Sequence, residues 1–155
     1  MIHKPIKRHP SIQPVSRDHH QGLLLCWKIR EGLKKGVSVE RIKAYVDWFW
    51  LHHLVPHFEL EEKALFPILG GEHVHVVKVL ADHTRLKTLF AAVDCKEEHL
   101  RMIQKELNDH IRFEERVLFN EIQAVASQEQ LARIEVAHAQ YHVEEVWTDE
   151  FWSVQ

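Results

Sequence analysis

From Ser16 to Trp152 apolar side chains recur at steps of three and four, the spacing of helices that bury one face. Ser16 or Asp18 caps a first helix that turns Leu23, Leu24, Trp27 and Ile29 inward and stops at Gly32 and Gly36. Ser38 caps a second, which runs through Ile42, Tyr45, Val46, Phe49 and Trp50, passes Pro56 and ends at Gly70-Gly71. Pro56 removes a hydrogen bond in mid-helix and bends the axis. A third helix spans about Glu72 to Asp94, with Val76, Val79, Leu80, Leu86, Leu89, Phe90 and Val93 on one side; a fourth covers about Glu97 to Ala126. Ser127 followed by Gln130 forms a capping box for a fifth, reaching Trp152. Residues 1–15, interrupted by Pro5, Pro10 and Pro14, read as an extended surface arm. No hairpin turn and no sustained alternation marks a strand. The expected fold is all-α, an antiparallel four-helix bundle with an additional C-terminal helix, in one domain over residues 16–155.

Composition narrows the function classes. A chain of 155 residues with 45% hydrophobic side chains and 5 glycines fits one core and excludes disordered, collagen-like and disulfide-scaffold classes. Its net charge of −3 argues against a general nucleic-acid binder. Cys26 and Cys95 lack CxxC spacing and read as reduced thiols. With no long apolar run and no apolar signal core, a cytoplasmic protein without membrane contact is expected. Histidine changes the picture: 14 are present, twice the 7 phenylalanines, and imidazole is the commonest metal ligand.

Two segments match each other. His57-Phe58-Glu59-Leu60-Glu61-Glu62-Lys63-Ala64-Leu65-Phe66-Pro67 aligns with His110-Ile111-Arg112-Phe113-Glu114-Glu115-Arg116-Val117-Leu118-Phe119-Asn120, identical at five of eleven positions. Each contains H-x-x-x-E, which places imidazole and carboxylate on one helix face a turn apart. With 14 histidines and 17 glutamates such pairs arise by chance about as often, so the information lies in the shared apolar frame. A weaker echo relates Asp18-His19-His20 to Asp82-His83. His83 is followed by Leu86, Leu89 and Phe90; His20 has the same register with Leu23, Cys26 and Trp27, whereas His19 would put Gly22 on that face. His20 is therefore preferred as the inward residue, with His19 its rival.

Depth supports a common layer. His57 lies 13 residues before the Gly70-Gly71 turn and His83 12 after it, so antiparallel helices bring the two imidazoles level. His110 reaches the same level from the other side. The first hairpin is looser by about 7 Å at the helical rise, a mismatch for the Pro56 bend or a turn of slack to absorb. Four imidazoles (His20, His57, His83, His110) and two carboxylates (Glu61, Glu114) buried together would be costly without a partner. Two iron or manganese ions satisfy them at once, with bridging carboxylates and imidazoles at either end.

The paired H-Φ-x-Φ-E-E-x-x-L-F segments (Φ an apolar residue) and the Asp-His openings resemble the hemerythrin-like, HHE cation-binding family over about residues 16–126. The resemblance implies a non-haem di-iron site with an oxo or hydroxo bridge, two Fe ions with Mn or Zn as substitutes. Its implied ligands are His20, His57, Glu61, His83, His110 and Glu114. It implies binding or sensing of dioxygen or nitric oxide, or else di-iron redox chemistry or iron donation in iron–sulfur repair or iron homeostasis. The oxygen carriers have a fifth histidine where this chain has Lys87, and a +5 Asp where it has Glu114 at +4; reversible oxygen transport is thus disfavoured. Repair-type members usually carry an extra cysteine-bearing N-terminal domain, for which this chain has no room, so binding or sensing is preferred. No catalytic residue is assigned, and a metal-binding or sensing protein is preferred to an enzyme. The expected partners are a small diatomic ligand and either a second copy, met through aromatics of the C-terminal helix, or a separate effector protein.

The remaining histidines read more plainly. His53, one turn before His57, is an outlying neighbour ahead of a fifth ligand. His52, His73, His75 and His99 read as surface residues, and His138 with His142 as an exposed pair. Glu62 and Glu115 point about 100° from the ligand face and are expected to pair with surface cations, with a swing inward of either as the alternative.

Overall fold

The computed structural model describes residues 7–141 and 146–153. All regular structure is helical, with no strand among the described residues. Helix α1 (Gln13–Lys34) carries Pro14 in its first turn, where a missing N–H forfeits no helical bond. It ends in a Schellman turn: Gly36 adopts φ 73°, its N–H donates to Leu33 O, and the Val37 N–H donates to Gly32 O. The helix thus starts ahead of the expected Ser16, and Ile12 and Val15 are fully buried. The later part of the expected surface arm is therefore core. Arg8 fastens the segment before it, donating to Glu115, Asn120 and Gln123. Residues 1–6 lie outside the described residues.

The second rod is a composite. Helix α2 (Val39–Phe49) is capped by Ser38 Oγ, which accepts from the Arg41 N–H. It passes through a π-turn (Trp50–Leu54), resumes as α3 (Val55–Leu60), then runs through a second π-turn (Glu61–Leu65) and a 3-10 turn (Phe66–Ile68). Pro56 stands in the first turn of α3, directly behind the wide turn, so the proline is accommodated by a π-turn. A π-turn also takes up an extra residue, about 1.5 Å of rise, and so absorbs part of the slack in the first hairpin.

Helix α4 (Val74–Phe90) ends short of the expected Asp94, and Val93, beyond its end, is fully exposed. Helix α5 (Glu97–Phe113) continues through a third π-turn (Glu114–Leu118) into α6 (Phe119–Val125). The expected capping box opens α7 (Gln128–Ala139): Ser127 Oγ accepts from the Gln130 N–H and Gln130 Oε1 from the Ser127 N–H.

Helix α7 does not reach Trp152. Its last bonds tighten, Gln140 N–H to Ala137 O and Tyr141 N–H to His138 O, and residues 146–150 are not helical. Trp147, Phe151 and Trp152 instead surround Tyr45, with ring centroids 5.4 to 5.7 Å away, while Asp149 pairs with Arg41. Burying these rings on α1 and α2 outweighs continuing the helix.

The apolar interior has two parts. One gathers Leu25, Ile29, Ile42, Leu54, Phe58, Leu86 and Leu107; the other gathers Ile12, Val15, Leu65, Val79, Leu118 and Phe119 and is covered by Leu131 and Ile134 of α7. Along each long rod the switch between them falls at a buried titratable residue. His19 separates Val15 from Leu25, His57 and Glu61 separate Leu54 from Leu65, His83 separates Val79 from Leu86, and His110 and Glu114 separate Leu107 from Leu118. One polar layer therefore crosses the core at a single depth.

Gly32 lies where α1 receives the C-terminal segment: a Cβ there would stand 2.8 Å from Phe151 Cε2 and 2.9 Å from Ile42 Cδ1. Overpacking of this kind costs about 1–3 kcal/mol, against about 1 kcal/mol returned by helix propensity. Gly32→Ala is expected to lower unfolding free energy by up to about 2 kcal/mol in chemical denaturation; a rise by the full ~1 kcal/mol of helix propensity would show that Phe151 is not seated there.

Candidate metal centre

Six titratable side chains converge in the polar layer. His19, His57, Glu61, His83, His110 and Glu114 are all buried, none more than 6% exposed. His57 and Glu61, like His110 and Glu114, are one turn apart on the same rod, as their spacing predicted. His57 Nε2 lies 3.3 Å from Glu61 Oε2, His83 Nε2 3.2 Å from Glu61 Oε1, and His19 and His110 Nε2 each 3.1 Å from Glu114 Oε1. Two donor groups result: His19 with His57, and His83 with His110, both completed by Glu61 and Glu114. The imidazole pairs share one geometry, with ring centroids 4.9 Å apart at 62° in each.

Each imidazole is aimed from behind. The Nδ1 of His57 contacts Asp18 at 3.3 Å, that of His83 Glu62 at 2.9 Å, that of His110 Asp82 at 3.1 Å, and that of His19 Glu115 at 2.7 Å. An ionised carboxylate only accepts, so each Nδ1–H donates and the Nε2 lone pair of the neutral ring is left facing inward. These acids follow the chain in a closed circuit. Helix α1 orients the ring on α3, the turn after α3 orients the ring on α4, α4 orients the ring on α5, and the turn after α5 orients the ring on α1. Further out, Asp18 accepts from His138 at 2.9 Å and Glu115 from Arg8 at 3.0 Å.

Most of the inward atoms lack hydrogen-bond partners, the His19 Nε2–Glu114 Oε1 contact at 3.1 Å being the exception. His57, His83 and His110 Nε2, both Glu61 oxygens and Glu114 Oε2 are buried without one. Unsatisfied nitrogen and oxygen donors converging on a common centre are the chemistry of a cation site. The residues present thus fit a cation-binding site that draws on both carboxylates.

The structure corrects three expectations. His20 is exposed on α1, and His19 occupies the layer. Glycine at position 22 is not a gap in the inward face: Gly22 is buried, and a Cβ there would lie 2.6 Å from Ile111 Cδ1. The inward stripe is Val15, His19, Gly22, Cys26 and Ile29, while Trp27 is 41% exposed. The matching Asp-His dipeptides at 18–19 and 82–83 carried this register. Second, Glu62 and Glu115 do not simply face surface cations; they hold His83 and His19. Third, His138 is not a free surface group but bonds Asp18, while His142 lies outside the described residues. His53 stacks on Phe49 at 4.6 Å, away from the donor groups, and Lys87 lines a pocket of about 370 Å³ beside His83.

Residues 11–122 match the hemerythrin HHE cation binding domain. The chain belongs to this family. No curated protein and no solved structure matches it. Within this hemerythrin-type domain the matched span contains all six converging side chains and all four orienting acids. No helix among the described residues is long and apolar enough to cross a membrane.

Electrostatics bind the layer together. Burial pushes His57 and His110 toward neutrality, yet Glu61 with Asp18, and Glu114 with Asp82, hold them up at about 9. Burial likewise opposes charge on His19, but Glu114, Glu115 and Glu61 keep it well above its ordinary value. Burial raises Glu61, and His57, His19 and His83 more than reverse this, holding it well below the usual range. In metal-free protein, raised imidazoles contribute stability that is fully present below their unfolded value of 6.5 and is lost as pH rises through about 9. Metal binding needs neutral rings and so strengthens over the same window. Thermal melts of the metal-free hemerythrin-type domain are expected to fall between those limits while metal affinity rises; a flat profile in both would contradict the network.

Proposed function

We propose that this chain is a non-haem di-iron protein, an antiparallel four-helix bundle that binds or senses dioxygen or nitric oxide at the His19, His57, Glu61, His83, His110 and Glu114 centre. The observation that carries this reading is the sharing of Glu61 and Glu114 between two imidazole pairs. Nitrogen and oxygen donors without thiolate suit iron, and two imidazoles with shared carboxylates on each side leave coordination positions open. When bound, a pair of irons supplies redox-active Lewis-acid centres for a small ligand. The alternation of the two apolar clusters supports the antiparallel arrangement: α1 and α4 run from the second cluster to the first, the other two rods the reverse.

The protein's own groups set the terms of ligand binding. The orienting acids fix each ring, the apolar clusters exclude water above and below, and Lys87 provides no imidazole. The donors are therefore divided evenly, unlike the five-histidine carriers, which suits sensing better than reversible transport. An iron-donor role would use the same residues, but near-complete burial of all six favours retention over release. A sensor of this kind passes its signal to a separate effector protein or a second copy of the chain.

Purified protein is expected to hold two irons per chain, with absorption bands that change on adding nitric oxide or azide. His19→Ala and Glu114→Ala are each expected to remove at least one iron, and His20→Ala none; equal loss in all three would overturn the ligand set. Asp82→Asn, which loosens His110, should weaken metal affinity about 10–100-fold with the fold intact by circular dichroism. Unchanged affinity in this variant would mean that the orienting acids do not serve the metal.

A further inference from the structure

A second group of metal-binding side chains lies apart from the buried layer. His73 caps α4, His75 stands in its first turn, and Glu121 projects from α6. Within a helix, residues two apart diverge, but His73 is extended (φ −60°, ψ 132°), so both rings reach the same side. Each oxygen of Glu121 meets a different ring: Oε2 lies 3.4 Å from His73 Nε2, and Oε1 is in close contact with His75 Nδ1. The rings are 5.3 Å apart, and Phe113 meets His75 edge to face at 5.4 Å. All three side chains are about a third exposed, between 27% and 34%, so one side of the group is open to water.

We propose that His73, His75 and Glu121 form a peripheral site for one borderline divalent cation such as Zn²⁺, held by two imidazole nitrogens and a carboxylate oxygen. Tetrahedral zinc with bonds of about 2.0–2.2 Å needs its donors roughly 3.4 Å apart, the separation already present between His73 and Glu121. The three donor atoms all lie within 4.8 Å of one another, so opening the close His75 contact and small side-chain shifts bring them to that separation. Two imidazoles and a carboxylate leave the fourth position for water on the open side.

Binding has a local cost. His73 Nδ1 accepts from the His75 backbone N–H at 3.1 Å, which puts the ring proton on Nε2. When Nε2 takes the cation the proton moves to Nδ1 and this cap is given up. His75 makes the converse change, its proton moving from Nδ1 to Nε2. The site lies about 12 Å along α4 from His83, at 1.5 Å per residue, and Val76, Val79 and Leu118 occupy the interior between them. The peripheral cation therefore acts on the chain by clasping the start of α4 to α6.

The test uses iron-loaded protein titrated with Co²⁺ as the zinc surrogate, followed by its visible absorption and by calorimetry. One Co²⁺ per chain is expected beyond the iron, with the intense bands of a tetrahedral ion. Affinity should fall at least tenfold in His75→Ala and in Glu121→Gln, both checked by circular dichroism. The iron content of these variants should equal that of the parent, which separates this site from the buried centre. Retained stoichiometry and affinity in both variants, or no Co²⁺ bound by the parent, would overturn the proposal and leave an ordinary His–Glu–His clasp.

Discussion

Two carboxylates placed among four imidazoles at mid-depth in an apolar core are the constraint on which this fold depends. Desolvating such groups is expensive unless each is answered by an opposite charge, a hydrogen bond or a cation. The chain answers with geometry. The core is divided into two apolar clusters with the polar layer between them, and every long rod contributes to that layer where it passes from one cluster to the other. The apolar packing above and below keeps the donors in place, and the donors in turn fix the relative depth of the rods.

The closed circuit of orienting acids extends this coupling around the molecule. Because each imidazole is held by an acid from the preceding rod, and the last acid returns to α1, no single helix owns its own ligand geometry. The internal likeness of the two halves has a physical counterpart here. The Glu-Glu pairs at 61–62 and 114–115 each supply one inward carboxylate and one acid for the neighbouring ring, and each pair opens a π-turn. A π-turn widens the helix locally and re-aims side chains, a device concentrated at functional sites. The repeated phenylalanines behave alike: Phe119 stacks on His19 at 5.0 Å and Phe66 packs on His83 at 5.4 Å.

Burial and symmetry together shape the functional reading. The imidazoles divide evenly between two donor groups, with the carboxylates common to both, and the proposed pair of cations rests on that division. The partly exposed group formed by His73, His75 and Glu121 stands in contrast. Among the described residues it has no orienting acids of its own, and its open side is a feature of a site that exchanges its ion with solvent.

The helical class, the approximate limits of most helices, the Ser38 and Ser127 caps and the two His-Glu pairs were legible in the sequence. Each depends on contacts within a few residues: periodicity, capping and one-turn spacing are local physics. The choice between His19 and His20 was not local, because it turned on whether Gly22 is a hole or a point of close approach, and only Ile111 on another helix decides that. The inward turn of Glu62 and Glu115, the bond from His138 to Asp18, and the departure of the C-terminal aromatics from a helical course share that origin. Residue type and spacing therefore determined which chemistry the chain carries, whereas packing between distant segments decided which of several adjacent polar groups faces it, since neighbours on one helix differ only in what the other helices bring to meet them.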